Sequence, residues 1–171
     1  MKLNLLLALL LVLPCHAGRE KFSKGQYSLE FPDAWKKPAE DAGAALIARE
    51  NPDGTALFAV TKLAVAAGAK VDLEATAKTI ADGYKKDLKL TEAPKIEKGE
   101  VDGLQARFIV IAGPKQAAVG DEAKPEGLAF YLVVIDAKAA VLILQATLAT
   151  PAAKKTSEAC LAIIKSFKRE D

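Results

Sequence analysis

The stretch YSLEFPDAW, from Tyr27 to Trp35, decides the fold because it combines a strand, a chain reversal and the single tryptophan of the sequence. Tyr27, Leu29 and Phe31 alternate with polar residues, which is the period of a strand with one buried face. A proline and an aspartate then end the strand and redirect the chain. We expect this reversal to fold Trp35 back over a sheet, where its ring would close one end of the core.

The composition predicts one globular domain. Of the 171 residues, 51% are hydrophobic and 27% are charged, a balance typical of a folded domain with an apolar core. Lysine and arginine total 24, against 22 aspartate and glutamate residues. The charges are nearly balanced, and the basic residues do not form the clusters typical of a nucleic-acid-binding protein. We expect a single domain over residues 18–171, with no internal repeat.

The first 17 residues predict a signal peptide. Lys2 supplies a positive charge, residues 5–13 form an apolar run, and small residues follow a proline, the pattern of a secretory leader. Cleavage between Ala17 and Gly18 fits this pattern best. The apolar run is shorter than the roughly 20 residues of a transmembrane helix. We therefore expect a protein exported to the periplasm or secreted, without a transmembrane helix in its mature form.

A second interpretation makes Cys15 the lipid-bearing first residue of a lipoprotein, because an apolar residue precedes it at the required distance. Against this interpretation, Pro14 stands where lipoprotein signals normally carry glycine, alanine or serine. The two alternatives differ in chemistry, since cleavage after Ala17 also removes His16, the only histidine.

Several classes of enzyme are excluded for a chain cleaved after Ala17. Ser-His-Asp and Cys-His catalysis both need an imidazole, and zinc sites need combinations of cysteine and histidine. The GxxxxGK, GxGxxG and GxSxG motifs are missing from the sequence. Adjacent acids at Glu40–Asp41 and Asp121–Glu122 lack the ligand spacing of a calcium loop. We expect no catalytic, metal-binding or cofactor-binding residue, and an enzyme using carboxylates and lysines is the last-ranked alternative.

The remaining thiol, Cys160, lies on the apolar stripe of the last predicted helix. With no histidine to activate it, we expect a buried and inert thiol. A single thiol forms no intramolecular disulfide, so the apolar core has to hold the fold.

The alternation of patterns predicts an α+β fold. Residues 44–65 are typical of a β-hairpin that reverses at NPDG, and helical periodicity begins after Asp72, the predicted N-cap of a four-turn helix. KIEKGE and LQARFIVIA predict two more strands, and LAFYLVVI with AVLILQATLA predicts a central hairpin covered on both faces. Thr150 and Pro151 are the predicted N-cap and first residue of a closing helix. We expect a largely antiparallel sheet of about six to seven strands, flanked by helices.

The longest predicted loop spans residues 113–127 and is rich in glycine, proline and charged residues. Long polar loops on a rigid scaffold commonly carry binding. The candidate partner-binding residues are Lys115, Gln116, Asp121, Glu122 and Lys124.

The order of elements resembles the PsbP-like α/β/α sandwich, which includes PsbP subunits of photosystem II and DcrB-like bacterial envelope proteins. The resemblance covers residues 22–168 and rests on the Y-S-x-x-F-P-x-x-W opening, the glycine before LQARF and the closing SF. It implies a non-enzymatic binding or accessory role on another envelope protein or a membrane-associated assembly. A small-ligand carrier with an apolar pocket between sheet and helix is the alternative.

Overall fold

The computed structural model describes residues 17–40, 43–66, 69–113, 127–138 and 140–170. Within these ranges the chain forms nine strands and two helices. In chain order they are β1 (Ala17–Phe22), β2 (Tyr27–Pro32), β3 (Ile47–Glu50), β4 (Ala56–Ala64), α1 (Leu73–Asp87), β5 (Lys95–Val101), β6 (Leu104–Ala112), β7 (Gly127–Asp136), β8 (Ala140–Thr150), α2 (Lys154–Lys165) and β9 (Lys168–Arg169). The predicted α+β class is confirmed.

The main sheet is antiparallel and has six strands in the order β3-β4-β8-β7-β6-β5. The hairpin of β3 and β4 reverses at NPDG as predicted. Gly54 has a φ of 72° there, a conformation that glycine adopts without steric cost. The Asp53 carboxylate accepts a hydrogen bond from the Thr55 backbone N–H at 3.0 Å. These local contacts close the hairpin, and β3 lies at one edge of the sheet.

The opening stretch lies in a second, smaller sheet. Strand β2 pairs with β1 on one side and with β9 on the other, both antiparallel. All seven strands predicted from the sequence are present, six of them in the main sheet and β2 in the smaller one. Strands β1 and β9 are additional, since neither carries the apolar alternation that would predict it.

One face of the main sheet is covered by α2 and the smaller sheet. Leu29 of β2, Phe58 of β4 and Ile163 of α2 belong to this apolar layer. Trp35 is only 9% exposed within the same layer. Its backbone N–H donates to the Pro32 carbonyl at 2.8 Å, which is the predicted reversal. The expectation that Trp35 belongs to the core is therefore confirmed.

The other face of the main sheet carries α1. The Asp72 carboxylate caps this helix, accepting a hydrogen bond from the Ala75 N–H at 2.9 Å. Leu73, Ala77 and Ala81 are buried against the strands beneath. The predicted helix and its cap are confirmed.

The predicted start of the last helix is wrong. Thr150 is the last residue of β8 and pairs with Gly127 in the sheet, so its backbone is held in a strand and cannot cap a helix. Helix α2 begins three residues after Pro151, and its N-cap, Ala153, makes no side-chain hydrogen bond.

Candidate binding face

Strand β4 is buried on one side and half-exposed on the other. Ala56, Phe58 and Val60 face the α2 layer and are almost completely buried. Successive side chains of a strand point to opposite faces, so the residues between them face the α1 side. There Leu57 and Ala59 are only half-buried. Within the described part of the chain, β4 is thus an inner strand of the sheet that is fully covered on one face only.

Among the described residues, α1 covers only about half of the face of the main sheet on which it packs. It packs mainly on β5, β6 and β7 and also covers Val141 at the start of β8, so β4 and the rest of β8 lie beside the helix rather than beneath it. We call the uncovered surface the open face. Its residues are Leu57, Ala59, Thr61, Leu63, Ile143, Gln145, Thr147 and Ala149.

The open face carries no charged side chain, although 27% of the residues in the chain are charged. Its polar groups are largely occupied by one another. The Tyr84 hydroxyl of α1 donates to Gln145 Oε1 at 3.0 Å, and Gln145 Nε2 donates to Thr147 Oγ1 at 3.1 Å. Burial raises the pKa of Tyr84, although its hydrogen bond to Gln145 opposes the shift, so the phenol remains a neutral donor at pH 7. The surface is therefore suited to apolar contact.

The open face corrects one prediction from the sequence. Both strands of the β7–β8 hairpin were expected to be covered on both faces. Strand β7 largely fulfils this, with Leu132, Val133 and Val134 all buried. In β8 every second residue from Ile143 onward remains half-exposed, because no helix in the described part of the chain lies over it.

The predicted partner-binding residues Lys115, Gln116, Asp121, Glu122 and Lys124 lie outside the described residues. The chain on either side of them is described. The Gly113 N–H donates to the Leu128 carbonyl at 2.7 Å. Leu128 pairs with Ala149 of the open face and is itself exposed. Both ends of the predicted loop therefore lie beside the open face.

Most of the other residues singled out from the sequence lie outside the described part of the chain. Glu40 is exposed, whereas its neighbour Asp41 and the pair Asp121–Glu122 lie outside the described residues. Ala17 and Gly18 begin β1, and Cys15 again lies outside the described ranges. Over those ranges, no group of three or more His, Cys, Asp or Glu residues is placed to hold a metal ion.

Two surface clefts are lined largely by polar and charged residues, and each contains an arginine–glutamate ion pair. A cleft of about 410 Å³ lies between β1 and β3, where Arg49 donates to both carboxylate oxygens of Glu20, with Nε at 2.7 Å from Oε1. A cleft of about 390 Å³ adjoins the start of α1, where Arg107 binds Glu74 at 2.9 Å. Neither is the apolar pocket between sheet and helix that a small-ligand carrier would need.

Cys160 is buried, and burial raises the pKa of its thiol to about 11. An unfolded thiol has a pKa of about 8.5. The stabilisation from keeping this thiol neutral is therefore complete below about pH 8.5 and is lost as the pH rises through about 11. We expect native protein to resist thiol reagents at pH 7.5.

The same shift predicts a measurable pH dependence. Urea unfolding at pH 8 and pH 10.5 should show a larger loss of stability in the wild type than in Cys160→Ala, because only the wild type has this thiol to ionise. Equal losses in the two proteins, or rapid labelling of the native thiol, would show that Cys160 is accessible.

The two sheets and their helices define a PsbP-like fold. Neither a protein-family model nor a curated protein sequence matches the chain. Among solved structures, it is similar to cyanobacterial PsbP (CyanoP) from Synechocystis sp. PCC 6803, with a TM-score of 0.60 and 10% identity over 91% of this chain and 94% of that chain.

Two further structures share the fold. The Saccharomyces cerevisiae Ran-binding protein Mog1p matches with a TM-score of 0.57 and 11% identity, over 91% of this chain and 97% of its own. LpqN, involved in cell envelope biogenesis of Mycobacterium tuberculosis, matches with a TM-score of 0.50 and 17% identity, over 91% of this chain and 86% of its own. At these identities the similarity establishes the fold alone. Neither of the two helices in the described ranges is long and apolar enough to cross a membrane.

Proposed function

We propose that this chain is an exported, non-catalytic accessory module that binds another envelope protein or a membrane-associated assembly. The observation that carries the proposal is the open face, which is half-exposed and free of charge on an otherwise charged chain. Charged residues are depleted at the centres of protein interfaces. Such a surface supports protein binding better than it supports catalysis, which needs titratable groups.

Three further observations support the proposal. The N-terminal pattern of residues 1–17 favours export. Two proteins with this fold are named for related roles, one as a Ran-binding protein and one for cell envelope biogenesis. The thiol of Cys160, a candidate nucleophile, is buried and so is not presented to a substrate at the surface. In our proposal the predicted loop residues, Lys115 to Lys124, supply a second contact region beside the open face.

A matched pair of leucines tests the proposal. Leu63 on the open face is 43% exposed, and Leu161 on the outer side of α2 is 41% exposed. Leu63→Glu places an unpaired charge in the proposed interface, and we expect at least a roughly tenfold loss of partner capture, as for substitutions at binding hot spots. Leu161→Glu adds the same charge elsewhere and should leave capture unchanged.

Capture is measured by crosslinking the full chain in envelope fractions of its host and quantifying the crosslinked products. Both variants should keep the wild-type melting temperature within a few degrees, because both positions are exposed. Equal capture by Leu63→Glu and the wild type, or an equal loss in both variants, would remove the open face from the proposed function.

A further inference from the structure

The uncovered part of the main sheet is the width of one helix. Six strands spaced about 4.8 Å apart span about 24 Å, and a helix with its side chains is about 10 Å across. The face therefore has room for two helices side by side. Helix α1 occupies one position over β5, β6 and β7, and the described chain leaves the second position, over β4 and β8, open.

One flank of α1 forms the wall of this second position. The contact between Tyr84 and Gln145 of β8 marks the side of the helix that adjoins the open face. Glu74, bound to Arg107 of β6, marks the opposite side. At 100° per residue, Thr76, Gly83 and Asp87 fall on the flank nearer the open face. Apart from the Asp87 carboxylate at its C-terminal end, this wall carries only small, uncharged side chains.

The wall of α1 and the open face together favour apolar contact with a closely packed partner. The Thr76 hydroxyl donates to the carbonyl of Asp72, the N-cap of α1, at 2.8 Å, so its donor is already used within the chain. Ala59 and Gly83 project little or no side chain, which lets another backbone approach closely. The surface is a sheet face rather than a sheet edge, so it offers no row of backbone groups to an added strand.

Acidic side chains stand at the two rims of the open face. Glu50 lies on β3 between Leu57 of β4 and Lys36, with which it forms an isolated β-bridge. Asp87 ends α1 on the flank that adjoins the open face. Neither carboxylate forms an ion pair with any described residue. Opposite charges across the rim of an interface steer association and fix orientation. A partner segment with lysine or arginine beside an apolar stripe matches this arrangement.

We propose that the open face receives an amphipathic helix of a partner protein, packed beside α1. The helix lays its apolar stripe on β4 and β8 and directs basic residues towards Glu50 and Asp87. A helix about as long as α1, which has 15 residues, spans the open face. This inference rests on the proposed function and names the class of partner segment that the open face binds.

Site-specific photo-crosslinking tests the inference in the full chain. A photoreactive amino acid is placed at Ala59 or Thr147 of the open face, and at Leu161 as the control position. The chain is irradiated in its host, and mass spectrometry identifies the crosslinked residues of the partner. We expect residues of one segment at spacings of three, four and seven, the repeat of a helix face, with basic residues flanking them.

The charges are tested with a synthetic peptide of the crosslinked segment. Replacing both rim acids in a Glu50→Gln/Asp87→Asn variant should weaken peptide binding about three- to tenfold at low salt, and the difference should shrink at high salt. The control variant Asp33→Asn/Glu92→Gln neutralises two exposed acids elsewhere and should bind like the wild type.

The outcomes separate the inference from the proposed function. Crosslinks to an extended or irregular partner segment, or rim substitutions without effect, overturn the helix inference and leave the proposed function standing. Crosslinks only to residues 114–126 of the same chain, or to a second copy of it, show another occupant and overturn the inference. Absence of any crosslink from Ala59 and Thr147 overturns both.

Discussion

Trp35→Ala is expected to lower the free energy of unfolding by about 3 to 5 kcal/mol, the cost typical of removing a buried aromatic ring. Trp35 is 9% exposed and packs in the layer between the main sheet and the smaller sheet. The reversal at Pro32 holds its backbone in place, so the surrounding side chains have little freedom to fill the cavity. Urea unfolding followed by circular dichroism measures the loss, since the variant lacks the tryptophan needed for fluorescence.

Val110→Ala is the control for this experiment. Val110 also lies in the main sheet but is 59% exposed, and we expect a change within about 0.5 kcal/mol. A loss below about 1 kcal/mol for Trp35→Ala would mean that the ring is exposed in solution. Trp35 would then return to the candidate binding residues.

Phe167→Ala is expected to have an effect of similar size, about 3 to 5 kcal/mol. Phe167 follows α2 and is 1% exposed. Its ring stacks on Tyr27 with centroids 5.7 Å apart and lies 6.4 Å from the ring of Phe22. These rings join the end of α2 to the smaller sheet, so the substitution removes a contact between layers as well as apolar area.

The matched control is Leu161→Ala in α2, where the side chain is 41% exposed and the expected loss is below about 1 kcal/mol. Hydrogen exchange adds a local readout. In Phe167→Ala the amides of β2 should exchange faster by a larger factor than those of β7, because β2 depends on this aromatic contact. Uniform acceleration across both sheets would show that Phe167 stabilises the fold without specifically anchoring the smaller sheet.

The sequence predicted the elements whose signals are local. The NPDG reversal, the Asp72 cap and the alternation of Tyr27, Leu29 and Phe31 each depend on residues that are neighbours in the chain. Strand β9 was missed because it has two residues and exists only through pairing with β2. The sequence predicts a helix cap at Thr150 because it does not show the pairing of Thr150 with Gly127, a residue distant in the chain.

The open face could not be found from the sequence for a related physical reason. The near-continuous apolar run of β8 predicts cover on both faces, but no local pattern in β4 or β8 shows which element, if any, supplies that cover. Ala59 and Thr147 would suit a position beneath a helix as well as an open surface. Their exposure became evident only when α1 was located over β5, β6 and β7. The binding role of the loop residues Lys115 to Lys124 stays a prediction.

Hydroxyl-radical footprinting of the chain alone and in complex with its crosslinked partner tests whether the open face is the binding surface. Free protein should be labelled at Leu63, Val110 and Leu161, the exposed side chains of three different surfaces. If the open face is the binding surface, the complex loses labelling at Leu63 and keeps it at Val110 and Leu161. Protection of Leu161 with unchanged labelling of Leu63 would place the interface on α2 instead.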